Sequence, residues 1–165
     1  MFLGKVNGKA LELLEHKTPS GNYHLKFTTN KKKHNQFWFL QYMKPYGHHI
    51  DYSFVASNYG STTLDNGFEV LVVNTKACSG GGSHWSNWCQ VKTARTENLY
   101  NLDHHLWKMV GDQLVSKYLD ATLGVEEHVG LVVFLRQENI KPNVHMDFSS
   151  NPPSFDPLLK GIAIN

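Results

Sequence analysis

The sequence predicts an α+β fold, with a mainly antiparallel sheet of about five to seven strands and one principal amphipathic helix near residues 97–122 packed on one face. The sheet is predicted by short segments in which apolar and polar residues alternate, separated by turns rich in glycine, asparagine and proline. The helix is predicted by apolar residues at spacings typical of one helix face, at Leu99, Leu102, Leu106 and Leu114.

The first strands are predicted by turn residues as much as by alternation. Asn7-Gly8 is the kind of pair that accepts positive φ in a two-residue hairpin, so it predicts a turn between strands at 2–6 and 9–14. The second of these segments also contains helix formers, so a short helix is the alternative there. Residues 23–28 alternate between apolar and polar side chains, which is typical of a strand with one buried and one solvent-exposed face.

Four further segments predict strands. Residues 37–43 are apolar on both parities, which is typical of a central strand covered on both faces. Residues 50–56 and 68–73 continue the antiparallel sheet, and residues 129–137 add a strand dense in Val and Leu after the helix. Gly124 is the residue at which we expect the helix to end.

The whole chain, residues 1–165, is predicted to form a single globular domain, since it shows no internal repeat and no second compositional regime. The segment 141–165 holds four of the six prolines, so we expect it to dock on the same domain in an extended conformation. A hydrophobic fraction of 41% with 18% charged residues excludes collagen-like, disordered and coiled-coil classes. No apolar run approaches the roughly 20 residues of a membrane span.

Charge and cysteine content restrict the setting. The formal net charge of +2 produces no strong field that would attract polyanions. Two cysteines are too few for a disulfide framework, and the N-terminus lacks the basic and long apolar regions of a signal peptide, so we predict a cytoplasmic protein. Ten histidines make the chain histidine-rich, and its charge will rise on acidification.

The segment from Cys78 to Cys89 is chemically the most suggestive. Three consecutive glycines precede a polar and aromatic cluster, a composition that suits an adaptable contact surface. We therefore predict a non-catalytic binding module that recognises a protein or peptide partner through loop aromatics. The alternative is that the tryptophans of this loop pack back into the core. The predicted binding residues are His84, Trp85, Trp88, Tyr59 and Tyr46.

An enzymatic alternative uses Cys89 as the nucleophile and His84 as its base, in a thiol-dependent hydrolase or transferase. This chemistry needs a thiol whose pKa is lowered by an imidazole, a cation or a helix N-terminus. No cysteine-enzyme signature surrounds Cys89, and a buried, inert thiol is the competing interpretation. Neither a metal nor another cofactor is predicted, because a lone Cys-x₁₀-Cys pair lacks the close ligand spacing of structural zinc sites.

A second alternative is single-stranded nucleic-acid binding. Lys31, Lys32 and Lys33 form a predicted hairpin tip, and the aromatic strand that follows contains Trp38. Basic residues beside aromatic rings on a sheet are the combination used for base stacking. A strand that is apolar on both parities, and a chain with only two arginines, count against this hypothesis.

Overall fold

The structure is a computed structural model, and it describes residues 1–17, 23–41, 52–59, 69–79, 87–95, 103–134 and 143–149 together with Ser154. Within these residues the chain forms twelve antiparallel strands in one sheet and three single-turn 3₁₀ segments. The strands are β1 (Phe2–Val6), β2 (Lys9–Lys17), β3 (Tyr23–Thr29), β4 (Trp38–Gln41), β5 (Phe54–Ser57), β6 (Glu69–Cys78), β7 (Trp88–Arg95), β8 (Trp107–Val110), β9 (Gln113–Ser116), β10 (Ala121–Glu126), β11 (Gly130–Phe134) and β12 (His145–Phe148). The 3₁₀ segments are His34–Gln36, Asp103–His105 and Tyr118–Asp120.

The sheet follows the order β3-β2-β1-β4-β5-β6-β7-β11-β10-β9-β8, and β12 pairs with β1 outside this path. An antiparallel bridge between Ser53 and Trp107 joins β8, the last strand of the path, to the residue that precedes β5. Two backbone hydrogen bonds of 2.8 and 2.9 Å form this bridge. A sheet with this many strands twists strongly and curls over its own apolar face, and the bridge shows that it does so here.

The core is organised around two buried indoles. Trp38 is 1% exposed and its Nε1 donates a hydrogen bond of 3.1 Å to the carbonyl of Leu11. Trp107 is 0% exposed and its Nε1 donates a hydrogen bond of 2.8 Å to the carbonyl of Leu71. Each indole therefore buries a large apolar surface while its one polar group is satisfied by the backbone of another strand.

The central strands are buried on both faces. Along β6, Leu71 and Val73 belong to the main core, whereas Val70 and Val72 belong to a second apolar cluster. Successive side chains of a strand point to opposite faces, so the two clusters lie on opposite sides of the sheet. The second cluster consists of Phe39, Phe54, Ala56, Val70, Val72 and Leu106.

The predicted α+β class is wrong, although the antiparallel sheet is confirmed. Within the described residues no helix reaches seven residues, and the strands outnumber the five to seven that we predicted. Where the principal helix near residues 97–122 was predicted, residues 103–122 form a 3₁₀ turn, the hairpin β8–β9, a second 3₁₀ turn and the start of β10. Residues 96–102 lie outside the described part of the chain.

The helix prediction failed at a turn that interrupts the apolar spacing. Gly111 has φ of +61°, and the two-residue turn at Gly111-Asp112 pairs Val110 with Gln113. Glycine with positive φ at the first central position is typical of a type II′ hairpin turn. Leu106 and Leu114, which suggested one helix face, pack in different apolar clusters. Strand pairing therefore prevailed over a spacing that also fits a helix.

The N-terminal hairpin is confirmed. Asn7 and Gly8 have φ of 48° and 77°, and Val6 pairs with Lys9 across the turn. The alternating segment 23–28 forms most of β3, and the segment that is apolar on both parities contains β4, which lies between β1 and β5. Local turn chemistry and two-residue periodicity were sufficient to predict these strands.

The C-terminal segment 141–165 is described only in part. Its residues 145–148 form β12, which pairs with β1 from Phe2–Phe148 to Lys5–His145. The side-chain amide of Asn58 also donates a hydrogen bond of 3.2 Å to the carbonyl of Ser154. The single-domain organisation of residues 1–165 stays a prediction. Across the described ranges, no helix combines the length and apolar character that crossing a membrane requires.

Gly124 does not end a helix but lies within β10, opposite Val132 on β11. A Cβ atom added at this position would lie 2.5 Å from Cε2 and 2.8 Å from Cδ2 of Phe134. The absence of a side chain at Gly124 therefore makes room for the aromatic ring of the neighbouring strand.

We predict that Gly124→Ala lowers the free energy of unfolding by about 1–3 kcal/mol, because the new methyl group overpacks against the Phe134 ring. Urea denaturation measures this change. Phe134→Leu in the same background should relieve the clash, so the double-mutant cycle should show a favourable coupling between the two substitutions. A Gly124→Ala variant as stable as the wild type would contradict the proposed close packing.

Candidate functional site

The hairpin formed by β6 and β7 is closed by a disulfide between Cys78 and Cys89. The next residue, Ser79, donates its backbone N–H to the carbonyl of Trp88 at 2.8 Å. Its Oγ accepts hydrogen bonds from the backbone N–H groups of Asn87 and Trp88, at 3.1 and 3.0 Å. We call these five residues the hairpin base. The connecting segment 80–86, which begins and ends on it, lies outside the described residues.

A bulge interrupts β6 just before the disulfide. Val73 pairs with Val91 and Cys78 pairs with Cys89, so the four residues 74–77 lie opposite Gln90 alone. The side-chain carbonyl of Asn74 accepts a hydrogen bond of 3.2 Å from the backbone N–H of Lys76, which stabilises the looped-out backbone. Bulges of this kind bend a strand and redirect its side chains.

Two of the five predicted binding residues lie in the described part of the chain. Trp88 is half-buried at the start of β7 and pairs with Phe134 of β11. Tyr59 is half-buried and packs against the main core. The other three predicted binding residues, His84, Trp85 and Tyr46, lie outside the described residues. The binding surface as a whole therefore stays a prediction.

Cys89 is 0% exposed and bonded to Cys78, and the described residues contain no free cysteine. The prediction of a free thiol at Cys89 is therefore wrong, because its sulfur is bonded to that of Cys78. A thiolate nucleophile needs an accessible, reduced sulfur. Catalysis by Cys89 with His84 would therefore first require reduction of the bond and exposure of the strand. The missed signal is that the two cysteines bracket a glycine-rich turn within one predicted hairpin.

The residues proposed for nucleic-acid binding have different environments. Lys31, Lys32 and Lys33 are exposed, and the buried Gln36 holds their backbone by accepting N–H groups from Lys31 and Lys33 at 3.0 and 3.2 Å. Trp38, by contrast, is 1% exposed and offers no ring face to a base. The lysines of the hypothesis are therefore available, but its stacking residue is part of the core.

A cavity of about 300 Å³ lies between β6, β7 and the 3₁₀ turn Asp103–His105. Lys92 reaches it from β7, opposite Val72, and the bulge of β6 contributes a second lysine. Val72 and Val73 of β6 also line it, and the side chain of Val72 is buried in the second apolar cluster. We call this cavity the basic pocket. Its polar lining among the described residues is Asn74, Thr75, Lys76, Lys92, His104 and His105.

The environment of the basic pocket lowers the pKa of one of its histidines, His104. Burial, together with the positive charges of His105 and Lys92, holds the pKa of His104 below its usual value of 6.5. The carboxylate of Asp103 acts in the opposite direction without reversing the shift, and it is itself 3.4 Å from Nζ of Lys117. The two imidazole rings lie with their centroids 4.1 Å apart. Burial of His104 is thus the main cause of the shift, and the neighbouring basic groups of the pocket act in the same direction.

A second cavity, of about 380 Å³, lies at the turn between β1 and β2. Unlike the basic pocket, it is lined by basic and acidic side chains that pair with each other. Nζ of Lys5 is 3.1 Å from the carboxylate of Asp147, and Nδ1 of His145 is 2.9 Å from the carboxylate of Asp112. Each basic group of this cavity thus has an acidic neighbour. In the same described ranges, no three His, Cys, Asp or Glu residues are grouped so that they can hold a metal ion.

No protein-family model matches the chain, and a search of curated protein sequences finds no match either. The features of the described residues that bear on function are therefore the hairpin base, the bulge and the basic pocket. These three features share one hairpin.

We predict that breaking the disulfide lowers the free energy of unfolding. Cys78 and Cys89 are separated by 11 positions, and a closed loop of this size stabilises by about 3 kcal/mol in the chain-entropy description. Urea denaturation of wild type with and without reductant, beside Cys78→Ala/Cys89→Ala, measures the effect. Reductant should destabilise the wild type and leave the double variant unchanged. Equal sensitivity of both proteins would contradict the disulfide.

We also predict a specific pH dependence from His104. Its pKa is lowered in the folded protein, so below the usual 6.5 the unfolded chain binds more protons than the native state. The stability that this group contributes is present above pH 6.5 and is lost as the pH falls through the folded pKa. The groups that face it are Lys92, His105 and Asp103.

The measurement compares wild type with His104→Gln between about pH 7.5 and about pH 5.5. The stability of wild type relative to the variant should decrease on acidification. His24→Gln, which removes an exposed histidine on β3, is the matched control. A difference between wild type and His104→Gln that is constant with pH would refute the assignment.

Proposed function

We propose that the protein is a non-catalytic binding module that recognises a protein or peptide partner through the aromatic segment joining β6 to β7. The observation that supports this proposal best is the hairpin base, where a disulfide and three hydrogen bonds fix both ends of the segment. A segment whose ends are held loses less conformational entropy when a partner orders it.

The setting of the hairpin base favours the same function. Below the bulge, β6 and β7 pair continuously from Val73–Val91 to Glu69–Arg95, and β7 also pairs with β11. Binding residues are commonly presented on loops that a rigid sheet positions. Trp88 stands at the junction between sheet and segment and is half-buried, so part of its surface is open to a partner.

The chemistry of the segment suits a peptide partner. His84, Trp85 and Trp88 lie among small polar residues and three glycines in the sequence. Tryptophan is among the residues that contribute most to binding when it fills a partner's pocket. We therefore place the main contacts at Trp85 and Trp88, with Tyr59 and Tyr46 as further predicted contacts.

The compartment is part of the proposal. The predicted cytoplasmic location rests on the sequence alone, whereas disulfides form and persist mainly in oxidising compartments. The hairpin base as described contains the bond between Cys78 and Cys89. The binding function is therefore proposed for the oxidised protein, and an oxidising compartment suits it better than the cytosol.

The test is selection of a random peptide library, displayed on phage, against the immobilised wild-type protein. Fluorescently labelled copies of the enriched peptides are then titrated with wild type, Trp85→Ala and Trp88→Ala. We expect at least one of the two variants to bind about 30-fold more weakly, which corresponds to the roughly 2 kcal/mol typical of an aromatic anchor. Thermal unfolding of each variant shows whether it is folded.

The matched control is Phe148→Ala, which removes an aromatic side chain that is 59% exposed on β12. Its affinity for the same peptides should equal that of wild type. The proposal is overturned if no peptide is enriched, or if all three folded variants bind the enriched peptides as tightly as wild type does.

A further inference from the structure

We propose that the basic pocket binds a small anion that carries a phosphate group. This site is separate from the aromatic segment of the proposed function and lies on the other side of the bulge from the hairpin base. The inference starts from what lines the cavity, which includes two lysines and two histidines.

Among the described residues, Lys76 and Lys92 have no acidic partner of the kind that neutralises several other basic residues. Within the described part of the chain, carboxylates form ion pairs with Lys5, Lys33, Lys117 and His145. Neither Lys76 nor Lys92 has such a pair there, although both line one cavity. Two lysines that line one cavity, and that have no ion-pair partner within the described ranges, favour an anion in it.

The surroundings strengthen that charge. Val72, which is directly opposite Lys92 in the strand register, is 1% exposed and lines the pocket, so Lys92 lies beside material of low dielectric constant. An electrostatic interaction is larger there than in bulk water. Burial is the largest cause of the lowered pKa of His104, and the charges of His105 and Lys92 lower that pKa further.

The donor set suits phosphate in number and charge. The ammonium groups of Lys76 and Lys92 match the charge of a phosphate monoester, which is about −1.5 to −2 at neutral pH. The imidazoles of His104 and His105 and the hydroxyl of Thr75 add hydrogen-bonding groups for its oxygen atoms. A cavity of about 300 Å³ is at the small end of ligand pockets, so it fits a small molecule.

The bulge of β6 is what brings these groups together. Lys92 is in regular register opposite Val72, but Asn74, Thr75 and Lys76 belong to the four residues that face only Gln90. These three residues line the cavity together with the histidines of the 3₁₀ turn, and bulges are often found next to functional sites.

The experiment titrates the full-length oxidised protein with inorganic phosphate at constant ionic strength and follows the histidine ring signals by NMR. We expect saturable binding with Kd below about 1 mM, and a rise in the pKa of His104 when the site is filled. A second titration uses glycerol 3-phosphate. Tighter binding of the monoester would identify the ligand as a phosphomonoester, and equal binding would identify it as free phosphate.

Sulfate provides a separate test of the pH dependence, because it stays a dianion while phosphate itself titrates. If His104 faces the anion, sulfate should bind more tightly as the pH falls from about 7.5 to about 5.5, since binding and protonation are reciprocally coupled. The charged groups that set this dependence are Lys76 on β6, Lys92 on β7, and Asp103 and His105 on the 3₁₀ turn.

Three variants locate the site. Lys92→Met and Lys76→Glu should each weaken phosphate binding at least tenfold. Lys76 is exposed, so Lys76→Glu should fold and remains informative even if Lys92→Met does not fold. Lys5→Met is the matched control, because it removes a lysine that lines the other cavity and pairs with Asp147. It should bind phosphate as wild type does.

The inference is overturned if no saturable phosphate binding is found up to about 10 mM, well above the affinity expected for a built site, or if Lys5→Met weakens binding as much as the pocket variants do. Because the peptide-binding test depends on Trp85 and Trp88 alone, failure of one proposal can be told from failure of the other.

Discussion

The pairing of β6 with β7 is the contact on which the rest of the structure depends. Both faces of β6 are buried, with Leu71 and Val73 in the main core and Val70 and Val72 in the second cluster. The indole of Trp107 also donates its hydrogen bond to the backbone of this strand. Loss of the pairing would expose apolar surface on both sides of the sheet and detach β8, which is why the two faces of the fold cannot be stabilised independently.

The same pairing explains why the candidate sites lie together. Where the strands are in register, the side chains of β6 fill the two cores, and Lys92 of β7 lines the basic pocket. Where the register shifts between Val73 and Cys78, the chain leaves the ladder, and polar residues replace apolar ones. The disulfide restores the pairing beyond the shift. Regular structure thus supplies stability, and its interruption supplies the positions at which binding is proposed.

The sequence predicted those parts of the fold that local chemistry determines. Asn7-Gly8 forms its hairpin because the conformation of the turn depends on these two residues themselves. Gly111-Asp112 is an equally local turn signal, but the apolar residues around it also match helical spacing, and a single sequence gives no measure of which pairing wins. The α+β class was predicted instead of the all-β class because this turn was interpreted as part of a helix.

The candidate sites were only partly accessible to sequence reasoning. The connecting segment stood out because its glycines and tryptophans are adjacent in the chain. The basic pocket did not stand out, because Lys76, Lys92 and His104 are far apart in sequence and meet only through the register of β6 with β7. A bulge that places four residues opposite one cannot be derived from composition or periodicity.

The hairpin base has a consequence for how freely this protein can change. Its bonds use the sulfur atoms of Cys78 and Cys89, the hydroxyl of Ser79 and main-chain atoms of residues 79, 87 and 88, so they make no demand on the identity of residues 80–86. The bonds of the hairpin base therefore use the same atoms whatever residues occupy 80–86, and an unrelated epitope grafted between Ser79 and Asn87 would start and finish on them. The hairpin base can in this sense hold the ends of a different connecting sequence without any change in its own residues.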